Sequence, residues 1–233
     1  KICGAHYKLF KASNTNFIDI QFEKLILFVE LINSSEKDIY HSTPDRSVYI
    51  LHSVIDIKLD FISESVIGKV THTFTPLGSS VSNLDLDAED MVVRRVRLDG
   101  KDIPFFQSEE KLHMDLVRSF NWSDTLNVII NYTAKPRTGL YFFKPDSSYP
   151  ERRLQAWTQG EETDNHHWVP IYDYPNERAT FECKLTVDKN LKAISNGELV
   201  SLLDKINCSP RFESLKLAWL SPVFPSSSAQ IIK

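Results

Sequence analysis

The sequence is poor in glycine, with seven in 233 residues. Loops that cradle phosphate are built on glycine, and neither a phosphate-loop pattern nor a dinucleotide fingerprint occurs. A Gly-x-Ser-x-Gly nucleophile elbow is missing too, which argues against that class of hydrolase. Cysteine is equally sparse. Cys3, Cys183 and Cys208 have no metal-ligand spacing, and three thiols cannot all pair within one chain. The redox compartment stays open on this count.

Charge of one sign is lacking as well. The 31 acidic and 27 basic residues leave a net charge of −4, and they are spread along the chain. No basic stripe exists for a phosphate backbone to follow, so nucleic acid is not an expected partner. Long apolar runs are also missing. Residues 24–32 (Lys-Leu-Ile-Leu-Phe-Val-Glu-Leu-Ile) are too short to cross a bilayer and are interrupted by Glu30, so no transmembrane span is expected. The same stretch is similar to the apolar centre of an export signal, which weakly favours a secreted or periplasmic location over the cytoplasm; a short amphipathic helix or a disordered lead fits it better.

What is present is strand periodicity. Ile55, Ile57, Leu59 and Phe61 alternate with Asp56, Lys58 and Asp60, the period of a half-buried strand. Residues 66–75 repeat the pattern with Val70, His72 and Phe74 on one side. Further strands are expected at 84–86, 92–98, 101–106, 111–117 and 126–132. Asp99-Gly100 supplies a tight hairpin turn between two of them. Phe181, Cys183, Leu185 and Val187 alternate with Glu182, Lys184 and Thr186, which makes Cys183 a buried thiol. Short strands between turns, with no long helical period, indicate an all-β fold, a twisted antiparallel β-sandwich. It is expected over 44–200, with irregular, unmatched segments at 1–43 and 201–233; the Ser-Pro-rich stretch 221–228 reads as loose.

Polar chemistry concentrates in residues 158–170, Thr-Gln-Gly-Glu-Glu-Thr-Asp-Asn-His-His-Trp-Val-Pro. A loop of this kind on a β scaffold suits a binding edge. His166 and His167 are adjacent, so on a strand their rings would face opposite ways. With no His-Glu-x-x-His and no Cys-x-x-Cys, no metal ligand and no catalytic residue is expected in this chain. Glu161 and Glu162 are neighbours and lack a third group to orient them as acid and base. A single carboxylate that binds an ammonium group needs less apparatus, because a charge-assisted hydrogen bond is about twice as strong as a neutral one. Carboxylates that cap loop N–H groups are the plainer alternative. Trp157 and Trp168 are the one candidate pair for an aromatic sugar-binding platform.

Tyr132-Thr133-Ala134, Thr138-Gly139-Leu140-Tyr141, Thr158-Gln159-Gly160-Glu161 and the run 168–181 (Trp-Val-Pro-Ile-Tyr-Asp-Tyr-Pro-Asn-Glu-Arg-Ala-Thr-Phe) follow one another in this order. The series resembles the zinc aminopeptidase N family, which includes leukotriene hydrolase, over roughly residues 44–200. The resemblance implies a saddle-like N-terminal β-sandwich packed over a catalytic domain. It implies that Glu161 binds the free α-amino group of a peptide N-terminus, with Gln159 assisting. Asp173, Pro175, Arg178 and Phe181 are then scaffold residues that shape the turn and enter the core. The family's catalytic motifs do not occur in these 233 residues. Zinc is therefore expected in a catalytic domain outside this chain, and the chain alone is expected to be inactive. A non-catalytic binding or scaffold module derived from that family is the alternative.

Overall fold

The structure is a computed structural model that describes residues 45–161, 163–174, 176–188, 190–195, 197–204, 214–221 and 230–232. The apolar stretch at 24–32, Cys3, Cys208, Glu162, Pro175 and residues 222–228 lie outside the described residues.

The described strands, in chain order, begin with β1 (Val48–Asp60), β2 (Ser65–Pro76), β3 (Val81–Asp87), β4 (Met91–Leu98) and β5 (Lys101–Asp102). There follow β6 (Phe105–Gln107), β7 (Lys111–Phe120), β8 (Leu126–Ala134), β9 (Leu140–Phe143) and β10 (Gln155–Thr158). The last are β11 (Thr180–Asp188), β12 (Lys192–Ile194), β13 (Glu198–Asp204), β14 (Ser214–Ser221) and β15 (Gln230–Ile232). They form an eight-stranded sheet in the order β13-β14-β11-β1-β2-β8-β4-β5, a four-stranded sheet β12-β15-β10-β9 and a three-stranded sheet β3-β7-β6. Three described stretches after residue 197 are thus strands that extend the two larger sheets.

Alternation decides which side chains enter the core. On β11, Phe181, Cys183, Leu185 and Val187 are buried and the residues between them are partly exposed. Burial pushes the Cys183 thiol up to about 12, so it stays protonated and behaves as a small apolar group. β1 keeps the same period but carries a register shift between Ile50 and His52. Leu51 is the extra residue and is exposed, and the buried set changes from Val48 and Ile50 to Ser53, Ile55, Ile57 and Leu59. β1 pairs antiparallel with β2 and parallel with β11, the one parallel pairing among the described strands. The Asp99-Gly100 turn between β4 and β5 has both residues at positive φ, 48° and 84°, as a tight hairpin requires.

One buried polar chain crosses this core. His72, on β2, is fully buried, with Nδ1 2.7 Å from the Ser53 hydroxyl and Nε2 2.8 Å from the Pro170 carbonyl. A carbonyl only accepts, so Nε2 carries the proton and donates to Pro170, while Nδ1 accepts from Ser53. The imidazole therefore ties the polar loop ending at Pro170 to the centre of the large sheet.

Burial lowers the His72 pKa from 6.5 to about 4, although the Pro170 hydrogen bond works against the shift. As pH falls through 6.5 the unfolded chain takes a proton that the folded chain refuses. Stability from this group is complete above pH 6.5 and is lost as pH falls towards 4. Urea unfolding at pH 7.5 and pH 5 checks this: His72 accounts for a loss of about 2 kcal/mol. In His72→Gln the loss over the same interval shrinks by that amount, and equal losses in both proteins would refute the assignment.

Candidate functional site

The polar loop leaves β10 at Thr158 and returns to the sheet at β11. Its first turn is fixed by close backbone contacts. The Gln159 N–H donates to the Gly139 carbonyl at 2.9 Å, and the Asp164 N–H donates to the Gly160 carbonyl at 3.2 Å. Gly139 has φ +77°, and a Cβ there would stand 1.9 Å from the Asp164 carbonyl oxygen. Gly160 is as confined, because a Cβ on it would meet the Asn165 side chain at 2.2 Å. Asn165 is buried, and its Nδ2 donates to the Gly160 carbonyl at 3.4 Å and to Asp173 at 3.2 Å. Two of the molecule's few glycines are therefore spent on letting this loop fold against itself.

Buried carboxylates hold the rest of the loop. Asp87, at the end of β3, exchanges both backbone hydrogen bonds with Ile171, and its side chain accepts from the Asp173 N–H at 3.1 Å and from Lys111 at 2.7 Å. Asp173 in turn accepts from the backbone N–H of His166 at 2.9 Å and from its Nδ1 at 3.1 Å. Asp90 has φ 55°, an uncommon conformation that Asp tolerates better than most residues. Its carboxylate takes Nε of Arg137 at 2.7 Å and Nδ1 of His167 at 2.8 Å. Burial acts to raise the Asp90 pKa, but the hydrogen bonds from Arg137 and His167 outweigh it and the net shift is downward. For His166, burial acts to lower the pKa, while Asp173, Asp87 and Glu89 prevail and raise it.

Within this frame, Glu161 is exposed and has no hydrogen-bond or ion-pair partner among the described residues. Gln159 is half-buried two residues before it. Asp173 is buried and Phe181 is in the core, but the Arg178 side chain is exposed and its backbone is what is engaged: the carbonyl accepts from the Tyr49 hydroxyl at 2.7 Å and the N–H donates to Glu177 at 3.1 Å.

Strand geometry does not apply to the histidine pair. His166 and His167 lie in a single 3₁₀ turn, Asn165–His167. Their ring centroids are 4.4 Å apart, so the two imidazoles share one side of the loop. Glu89 joins them, with Oε2 3.7 Å from Nε2 of His166. The sequence carried no signal for this grouping, because Glu89 and Asp90 are more than seventy residues away and the turn type cannot be read from periodicity. Trp157 and Trp168 do not pair as a platform either. Trp168 is buried, and Trp157 lies against Tyr141 and Phe143 with centroids 4.9 and 6.0 Å away.

A family described as the peptidase M1 N-terminal domain matches residues 37–207. A leucyl aminopeptidase of Saccharolobus solfataricus is 32% identical over 117 residues, 49% of this chain and 14% of that protein. Transcription initiation factor TFIID subunit 2 of Gallus gallus is 24% identical over 198 residues, 66% of this chain and 17% of that protein. The chain therefore spans less than a fifth of the length of either relative. Among solved structures, an M1 zinc metallopeptidase from Deinococcus radiodurans superposes with a TM-score of 0.67 at 18% identity, over 83% of this chain and 44% of the other, which shows a shared fold.

Replacing Gly139 by Ala sets a methyl group against backbone that cannot rotate away, at a φ that disfavours it. We expect Gly139→Ala to lose at least about 2 kcal/mol of stability in urea unfolding, with amide exchange rising first at 159–165. Unchanged exchange there would show that the loop does not depend on this contact.

Proposed function

Since this chain belongs to the peptidase M1 N-terminal domain family, we propose that it is the substrate-anchoring domain of a zinc-dependent aminopeptidase. Glu161 takes the ammonium group of a peptide N-terminus, and Gln159 adds a hydrogen bond. The catalytic zinc, which would polarise the scissile carbonyl and activate water, belongs to a partner catalytic domain that supplies its own ligands. The sequence of this chain has no His-Glu-x-x-His to hold it.

The observation that carries the reading is the state of Glu161. Its loop is braced by Gly139, Asn165, Asp173 and the Asp87 bridge, yet its own carboxylate is exposed and without a described partner. An anion on a preformed backbone can select an uncapped amine, because an acetylated terminus has lost the charge and keeps a single N–H donor of the ammonium's three.

A second reading rests on the TFIID subunit among the relatives: a non-catalytic scaffold module that keeps the fold and has no use for an amine. The two part on free-amine recognition. Titrating the chain with a dipeptide amide and with its N-acetylated twin should shift the Gln159 and Glu161 amide resonances for the free amine alone. Glu161→Gln should weaken that response about tenfold, the scale of one charge-assisted hydrogen bond. Equal responses to both ligands would favour the scaffold.

Incubated with zinc and an aminoacyl fluorogenic substrate, the purified chain should give no turnover above Glu161→Gln. Turnover above that variant would overturn the division of labour between two domains.

A further inference from the structure

We infer that Glu89, His166 and His167 form a binding site for a divalent transition metal of the zinc class. Each of the three offers one ligand atom, and these atoms all lie within 4.8 Å of one another. Tetrahedral zinc at 2.0–2.1 Å from its ligands sets them about 3.3 Å apart, so closure needs side-chain adjustment and no rebuilding of backbone. Two imidazoles and one carboxylate are a donor set that borderline metals favour over calcium or magnesium.

The surroundings are those of ligands already oriented. A carboxylate can only accept, so the Asp173 contact puts the proton of a neutral His166 on Nδ1, and the Asp90 contact does the same for His167. Nε2 of each ring is then left with its lone pair. A carboxylate behind a histidine is the arrangement that fixes ring orientation and raises basicity at metal sites. Glu89 is oriented in the same way: Arg137 holds Oε1, while Oε2 is the oxygen that faces His166. A pocket of about 140 Å³ adjoins the cluster, lined by Asp87, Glu89, Glu110, Lys111, His166 and Asp173 among others, and gives an ion and its remaining water ligands a route in. The metal would join two remote parts of the chain, the segment after β3 and the 3₁₀ turn, which are already linked by the Glu89 N–H donating to the His166 carbonyl at 3.1 Å.

The test uses the 233-residue chain stripped of metal with EDTA. Cobalt(II) should bind in one equivalent, with visible d–d absorption and no thiolate charge-transfer band. Zinc should compete for the same site and raise Tm. Glu89→Gln and His167→Gln should each weaken cobalt binding by at least about tenfold, while Glu161→Gln leaves it unchanged, which keeps this result separate from the amine proposal. Near-UV circular dichroism of the metal-free variants controls for folding. Glu89→Gln is the decisive variant, since its partner Arg137 keeps Asp90. Failure to bind a stoichiometric ion, a thiolate band, or wild-type affinity in Glu89→Gln would each overturn the site.

Discussion

The polar loop depends on the cost of burying carboxylates. Asp87 and Asp173 are among the buried polar residues, and the Asp90 side chain is little more exposed than theirs. A desolvated carboxylate without partners would be expelled or protonated. Each of the three instead has donors: Asp87 joins β3 to Lys111 and the Asp173 N–H, Asp90 joins Arg137 to His167, and Asp173 closes the loop on itself by accepting from Asn165 and His166. Removing one carboxylate strands several donors at once, so the loop holds together as a unit. The His72–Pro170 bond anchors the same unit to the hydrophobic core.

A loop built in this way is organised before anything binds. The Gln159 amide is committed to Gly139 and the Gly160 carbonyl to Asp164, which fixes the backbone leading into the glutamate. Ordering a flexible segment at the moment of binding would consume much of what a single ionic contact can supply. Here most of that ordering is carried by folding, and the stability comes from the β-sheets behind the loop.

The sheets were legible in the sequence because one-sided burial writes a period of two. Ile55, Ile57 and Leu59, then Val70, His72 and Phe74, then Phe181, Cys183, Leu185 and Val187 all face inward as their alternation implied. The Asp99-Gly100 turn was legible for a local reason, the need for positive φ. The parallel pairing of β1 with β11 was not, since alternation fixes which face is buried and leaves the neighbour open. The bulge at Leu51 was hidden too, because one inserted residue only interrupts a pattern. For the site, the position of Glu161 in a polar loop could be read from Thr158-Gln159-Gly160-Glu161. Its bracing could not, because Asp87, Asp90 and Arg137 contribute across long separations and look like ordinary surface charges.

That difference bears on what the loop's charges are for. Of its described carboxylates, Asp173 accepts from Asn165 and His166, Asp164 accepts from the Thr138 hydroxyl at 3.1 Å, Glu177 accepts from Arg46 at 2.8 Å, and Glu161 has no described partner. A capping role for Glu161 would require a nearby N–H to bond, and the neighbouring Gln159 and Asp164 N–H groups are given to carbonyls. The paired carboxylates account for the architecture without it. An unpaired glutamate next to Gly160 contributes little to folding, and that surplus charge is what the proposed amine contact rests on.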